Sequence, residues 1–413
     1  MDEFGAYVGV DWGDRMHRIA LWDCRTGKEE SIELEQTPAA LHAWVRSLAA
    51  RYGGEQVAVA IEQSRGQVFD VLVGYEFLEL YPINPRSAAR YREAFRPSTA
   101  KDDPTDAASL LDMLRKHRDQ LQPFVADDVQ TRTLRLLVED RRALVDERTA
   151  RVQRLEARLK TYFPQALEWA GALDTLQACD FLERWPTLAA IQKARPCDIR
   201  TFYRRHTHGG EWIEAKLQQI RLAVTLLGDE AIISAAILMV RSEVAQLRAL
   251  VASIGEYGRR IEAVFSEHED AFIFKSFPGA GEQLAPRLAA AFGSVRDRYD
   301  TAVEIAERSG IAPVMRRSGK SVLVEMRWAC PKFMRQSFHE FARASIGQSV
   351  WAGAFYRHLR ARGVGTHSAI RTLAYRWIRI LYACWKQHRP YDEVFYLRQL
   401  ARRGSPIAAL LVR

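Results

Sequence analysis

The 413-residue chain is 48% hydrophobic and 27% charged, the balance of a soluble protein large enough for two or three domains with cores of their own. No apolar run approaches the ~18–20 residues of a membrane span, and Met1-Asp2-Glu3-Phe4 lacks the basic-then-apolar order of a secretory signal. The net charge of +9 is uneven: residues 313–413 hold 19 Lys and Arg against 4 Asp and Glu, and the rest 41 against 47.

Residues 6–12 read as a buried strand, 17–23 and 29–34 as alternating strands. A helix follows over 37–52, then a strand over 56–62, a helix from about 66 to 75, a strand over 77–83, and helices over 86–95 and 104–117. Three strands and then alternating helices and strands indicate an α/β sheet with helices on both faces. Ligands of such sheets gather beyond strand ends. Asp11 closes the apolar run Ala6-Tyr7-Val8-Gly9-Val10, and Glu62 closes Val57-Ala58-Val59-Ala60-Ile61. Asp103 and Asp106 stand at a helix start, in Lys101-Asp102-Asp103-Pro104-Thr105-Asp106-Ala107. Converging carboxylates repel unless cations lie between them, so these four point to a Mg²⁺ or Mn²⁺ site. Paired ions of this kind are common machinery for breaking phosphodiester bonds.

From about 127 to 163 the pattern becomes one long helix, with Val138, Val145, Val152 and Leu159 seven residues apart. A second spans about 229–268, with Val240, Val244, Leu247, Val251, Ile254, Ile261 and Phe265 in a heptad pattern. The two read as a coiled-coil seam, formed as an antiparallel hairpin or with another subunit. Arg141 and Arg148 weaken a dry seam, and Gly255 and Gly258 loosen the second helix. A compact helical insert, about 167–227, lies between them. The five cysteines are scattered without metal-ligand spacing and read as reduced thiols of a cytoplasmic protein.

Phe277-Pro278-Gly279-Ala280-Gly281 before a helix over 282–292 looks like the hairpin of helix-hairpin-helix DNA binders. There Gly279 and Gly281 would let backbone N–H groups approach phosphates; the alternative is an ordinary tight turn. Arg316-Arg317-Ser318-Gly319-Lys320-Ser321 places serines among cations on a Gly turn. Such cations would activate a serine and stabilise a phosphorane, or the serine only hydrogen-bonds a phosphate. Ser318 is the first choice of nucleophile and Ser321 the second. Trp328, Phe333, Trp351, Tyr356, Tyr375, Trp377 and Trp385 among the basic residues suit a polyphosphate with stackable bases, or else form a core under a basic face. Helices are expected over about 338–362 and 366–387.

Taken in order, these segments resemble the DEDD-type insertion-sequence transposases and pilin-inversion recombinases. Gly310-Ile311-Ala312-Pro313, Arg360-Ala361-Arg362-Gly363 and Pro390-Tyr391-Asp392 add to the resemblance. It implies an N-terminal RNase H/RuvC-like sheet with helices (1–120), coiled-coil helices with their insert (127–270), a helical serine-bearing transposase domain (271–400) and a basic tail (401–413), an α/β plus all-α architecture. It carries the acidic tetrad onto Asp11, Glu62, Asp103 and Asp106, with Asp102 as a possible substitute for Asp103, and the serine onto Ser318. It implies a recombinase that moves its own element, with DNA as substrate, a structured non-coding guide RNA, a 5′-phosphoserine link, and a dimer or tetramer active near the nucleoid. Arg316, Arg317, Lys320, Arg86, Arg90 and Lys101 are the nucleic-acid contacts expected, with Arg92 and Arg96 in the same basic segment. The rivals are a RuvC-like junction nuclease that uses water, an inactive nucleic-acid-binding scaffold, and an actin-like ATPase, whose phosphate loops the chain lacks.

Overall fold

The structure, a computed structural model, describes residues 3–62, 66–95, 103–319 and 321–411, without the side chains of 103–105, 410 and 411. Lys101, Asp102, Arg96 and Lys320 lie outside it. The chain divides into two compact units, 1–126 and 127–413.

The first unit is built on β1 (Ala6–Asp11), β2 (Met16–Asp23), β3 (Lys28–Glu35), β4 (Val57–Glu62) and β5 (Leu78–Ile83). The sheet order is β3-β2-β1-β4-β5. The first three strands are antiparallel, and β4 and β5 run parallel to β1. That is an RNase H-like mixed sheet. Around it lie α1 (Pro38–Tyr52), α2 (Gln67–Leu72), α3 (Pro85–Phe95) and α4 (Asp103–His117). Thr37 caps α1, its hydroxyl accepting from the Ala40 N–H at 3.2 Å, and Gly53 ends it at φ +58°.

The apolar runs of β1 and β4 are sorted between two faces, because successive side chains of a strand point opposite ways. Val8, Val10, Val57, Val59 and Ile61 join Leu41, Trp44, Val45 and Leu48 of α1 in one core. Tyr7, Ala58 and Ala60 join Ala107, Leu110, Leu111 and Leu114 of α4 in the other.

In the second unit, α5 (Val129–Tyr162) and α11 (Glu230–Ser266) pack lengthwise and antiparallel. Leu134 and Val138 meet Ile261 and Phe265 at one end. Leu155 and Leu159 meet Val240, Val244 and Leu247 at the other. The pairing expected either within the chain or between chains is thus made within it. Between the ends α5 buries no side chain, and Arg141 and Arg148 stand there.

The insert folds into α6 (Ala166–Trp169), α7 (Leu176–Arg184), α8 (Leu188–Gln192), α9 (Pro196–Arg205) and α10 (Gly210–Leu222), around Trp169, Phe181, Trp185 and Tyr203. After α11 come α12 (Ala271–Lys275), α13 (Gly281–Phe292), α14 (Ala302–Arg308) and a hairpin of β6 (Val314–Ser318) and β7 (Ser321–Glu325). Then follow α15 (Lys332–Ser345), α16 (Val350–Ala361), α17 (Thr366–Lys386), α18 (Glu393–Arg402) and α19 (Pro406–Leu411).

The serine segment, expected on a Gly turn, is a β-hairpin with Gly319 in its turn. Two expectations are corrected. The helix expected over about 338–362 is two, α15 and α16, the second begun by Ser349, whose hydroxyl accepts from the Ala352 N–H. The basic tail at 401–413 includes a helix, α19, with Ile407 buried. Among the described residues no helix is long and apolar enough to cross a membrane.

Candidate functional site

Asp11 and Glu62 end neighbouring parallel strands, each one residue past the pair Val10–Ile61. In-register residues of parallel strands share a face, so both carboxylates lie on the side of Gly9 and Ala60. That is the side α4 covers. A Cβ at Gly9 would stand 2.2 Å from the Ala107 carbonyl oxygen and 2.5 Å from the Leu111 nitrogen. Glycine at position 9 therefore lets α4 lie directly on β1, with its N-terminal turn beside the strand ends. Asp106 is on that turn, its side chain 13% exposed.

Asp106 accepts a hydrogen bond from the Arg92 guanidinium of α3. This contact, then Asp106's charge and that of Glu62, holds the Arg92 pKa above its ordinary value. Next to it, Tyr91 donates to Asp112 at 2.9 Å; burial first, then this carboxylate, pushes the Tyr91 phenol up to about 12. Among the described residues no three His, Cys, Asp or Glu side chains are gathered closely enough to hold an ion. Asp106 is turned toward Arg92, and the Asp103 side chain is not among those described. Carboxylates are the ligand type that suits a hard divalent cation, and the close approach at Gly9 brings the first turn of α4 near the strand ends.

One residue of this region gave no signal in the sequence. His17 of β2 is buried, 1% exposed. The Gly13 N–H donates to its Nδ1 at 3.2 Å, which leaves Nε2 to donate to Gln36; Gln36 donates in turn to Gln67 at the start of α2. The relay pins the turn after Asp11 to the helix after Glu62. A lone histidine within an alternating strand does not announce that role.

The serines lie in the second unit. Ser318 and Ser321 are directly opposed across β6 and β7, joined by Gly319-Lys320 with Gly319 at φ +56°, the positive φ a two-residue hairpin requires. Opposed residues share a face, so the two hydroxyls lie side by side, with Arg316 on the same face and Arg317 on the other. Arg316 pairs with Glu325 at 3.0 Å. Both serines are exposed, and so are Met315, Val322, Leu323 and Val324.

The other expected contacts divide. Arg86 and Arg90 are exposed on α3. Gly279, at φ +83°, faces protein: a Cβ there would stand 2.8 Å from the Ala344 carbonyl carbon, so packing against α15 requires the glycine, not a phosphate. Gly281 faces open space. Trp351, Trp377 and Trp385 are core residues, 0% exposed, whereas Trp328 is 74% exposed.

Known proteins resemble this chain along most of its length. Residues 8–164 match a DEDD-type family model described as "Transposase". Residues 271–357 match the model "Transposase IS116/IS110/IS902 family". The "Mini-circle putative transposase for IS117" of Streptomyces coelicolor is 28% identical over 95% of this chain and 96% of its own length. The "Insertion element IS900 uncharacterized 42 kDa protein" of Mycobacterium paratuberculosis is 26% identical over 93% and 96%. The "Insertion element IS116 uncharacterized 44.8 kDa protein" of Streptomyces clavuligerus is 26% identical over 96% and 98%. A DEDD-type domain implies a divalent metal site and a DNA substrate. The chain belongs to the IS116/IS110/IS902 family of transposases and is a DNA transposase of an insertion sequence.

Proposed function

We propose that this transposase cuts and rejoins DNA through a serine nucleophile working with the acidic site of its sheet. Asp11, Glu62, Asp103 and Asp106 are the residues that would hold Mg²⁺ or Mn²⁺. Such an ion, when bound, would polarise the scissile phosphate. The observation that carries the reading is the side-by-side placement of Asp11 and Glu62 on the face where Gly9 admits α4 and Asp106.

Ser318 Oγ attacks phosphorus. A P–Oγ bond forms and the P–O3′ bond breaks. The serine proton passes to a base or water, and the departing 3′ oxygen takes up a proton. The product is a 5′-phosphoserine link and a free 3′ hydroxyl. Arg317 and Lys320 are placed in sequence to neutralise the transition state, and Arg316 shares the hairpin face of Ser318. The basic C-terminal hundred residues and exposed Arg86 and Arg90 support contact with nucleic acid, including a structured guide RNA from the element. The working form is a dimer or tetramer.

The test is covalent trapping. Full-length protein, Mg²⁺, element-end DNA and the flanking non-coding transcript are mixed and resolved on a denaturing gel. A protein–DNA adduct is expected, lost in Ser318→Ala and kept in Ser321→Ala. Asp11→Asn and Glu62→Gln should abolish it. Cleavage without any adduct would replace the serine with metal-activated water, the chemistry of a junction nuclease. An adduct that survives Ser318→Ala and vanishes in Ser321→Ala would move the nucleophile across the hairpin.

A further inference from the structure

Where α5 passes the Gly255–Gly258 stretch of α11, two side chains are missing from the packing. A Cβ built at Gly255 would have nothing nearer than Arg259 Nη1 at 3.8 Å, and one at Gly258 nothing nearer than Arg141 Nε at 3.9 Å. The gap is a cleft of about 320 Å³ between α5, α11 and the first turn of α13. Arg141, Arg148 and Arg259 line it, along with Glu262 and Glu282.

Four arginine nitrogens in and around the cleft lack acceptors. Arg141 Nε, Arg142 Nε, Arg148 Nε and Arg287 Nη2 are all buried with no hydrogen-bond partner. Three of the four side chains still have a carboxylate: Arg148 pairs with Asp174 at 3.4 Å, Arg142 with Asp146 at 2.7 Å, and Arg287 with Glu340. Arg141 has none among the described residues. Burial lowers its pKa, and the charges acting on it are Arg148, Arg287 and Arg142, cations all. A half-buried guanidinium with no carboxylate partner and three cations acting on it costs stability unless an anion joins it.

We infer that this cleft is an anion site that receives a phosphate group, with Arg141 as its central donor. A guanidinium presents a fork of N–H donors that matches phosphate oxygens two at a time. The glycines serve by leaving room for the ligand. A phosphate of a nucleic-acid backbone and a free phosphate share this chemistry. The inference does not depend on the serine or on the acidic tetrad.

Two variants of the full chain test it. Arg141→Met removes the charge and keeps an apolar stem; Gly258→Leu fills the cleft and keeps the charge. Thermal unfolding is followed with added sodium phosphate against sodium chloride at equal ionic strength. Binding of fluorescent 30-nucleotide RNA and 30-base-pair DNA is followed across salt. Phosphate should raise the wild-type Tm by about 2 °C or more at saturation, and neither variant should respond. In phosphate-free buffer Arg141→Met should be as stable as wild type or more so, since it relieves repulsion. If both variants also weaken nucleic-acid binding about tenfold and lower the salt slope by about one, the phosphate belongs to a nucleic-acid backbone, with or without a free-phosphate response. If only the phosphate response is lost, the ligand is a small phosphate. Two results overturn the inference: wild type and both variants behaving alike in both assays, or Arg141→Met losing Tm in phosphate-free buffer, as a structural arginine would.

Discussion

The Arg92 guanidinium on α3 donates to the Asp106 carboxylate on α4, and Glu62 adds to the field that keeps Arg92 charged. Arg92 is thus an internal cation where a divalent ion is proposed to bind. Replacing it with Met should tighten Mn²⁺ binding, because a competing positive charge is gone. Partly exposed ion pairs of this kind contribute up to about 1 kcal/mol, so a gain of about three- to fivefold is expected by calorimetric titration. The same variant should unfold at a lower temperature without metal, since Asp106 loses its Arg92 partner. An unchanged Mn²⁺ affinity would remove Arg92 from the site.

Gly9 sets how closely α4 approaches β1. A side chain at this position would meet the Ala107 oxygen at 2.2 Å and the Leu111 nitrogen at 2.5 Å from its Cβ. Both obstacles are helix backbone and cannot rotate away. Gly9→Ala should push α4 outward and carry Asp106 with it. The expected result is a loss of stability of about 1–3 kcal/mol, with a larger fall in strand cleavage than in DNA binding. Cleavage at the wild-type rate would show that α4 need not lie on the strand.

Gly319 occupies the left-handed region in a hairpin whose flanking side chains are exposed. A β-branched residue there is strained by roughly 1–2 kcal/mol. Gly319→Val should therefore reshape the tip and displace Ser318, with little change in global Tm because the hairpin buries almost nothing. Adduct formation should fall sharply while thermal unfolding stays near wild type. Full adduct yield would mean the turn tolerates other geometries.

How much of this could be read from residues alone depends on burial. β1 and β4 were legible because both are continuous apolar runs with a carboxylate at the end. The β6–β7 hairpin was not, because neither face is buried and no alternating pattern marks it. The Arg92–Asp106 contact depends on how α3 packs on α4, which no local pattern encodes. Aromatics in the basic module left two readings open for a related reason: composition cannot tell a core ring from a stacking one. Trp351 donates to Tyr391 at 2.9 Å and Trp377 to Ser345 at 2.8 Å, so their N–H groups are satisfied inside the core. Trp377→Ala should cost about 3–5 kcal/mol. Trp328→Ala should leave Tm unchanged and, if that ring stacks on a base, weaken nucleic-acid binding by about 1–3 kcal/mol. A Trp328→Ala protein with full affinity would leave the module with electrostatic contacts alone.

His268 gives the second unit a pH dependence with a definite sign. Its Nδ1 accepts from the Asp270 N–H at 3.0 Å. The Thr131 hydroxyl donates to Asp128 at 2.8 Å, so it can only accept from His268 Nε2, 2.9 Å away. The ring is held as the neutral Nε2–H tautomer, and a proton on Nδ1 would face the Asp270 N–H. Burial lowers the His268 pKa, outweighing the nearby Asp270 and Asp128 charges. Burial first, then the charges of His367 and Arg371, lowers His339 as well. Because the folded pKa lies below the unfolded one, the unfolded chain binds more protons as pH falls. The stability from a neutral histidine is therefore complete above an unfolded pKa of about 6.5 and is lost as pH falls toward the folded value. Each such histidine should cost at most about 1.4 kcal/mol per pH unit in that window. Thermal unfolding at pH 7.5 and pH 5.5 should show wild type losing Tm on acidification. His268→Asn should start lower at pH 7.5 and lose less between the two. Parallel pH profiles for wild type and variant would show that His268 does not titrate on unfolding.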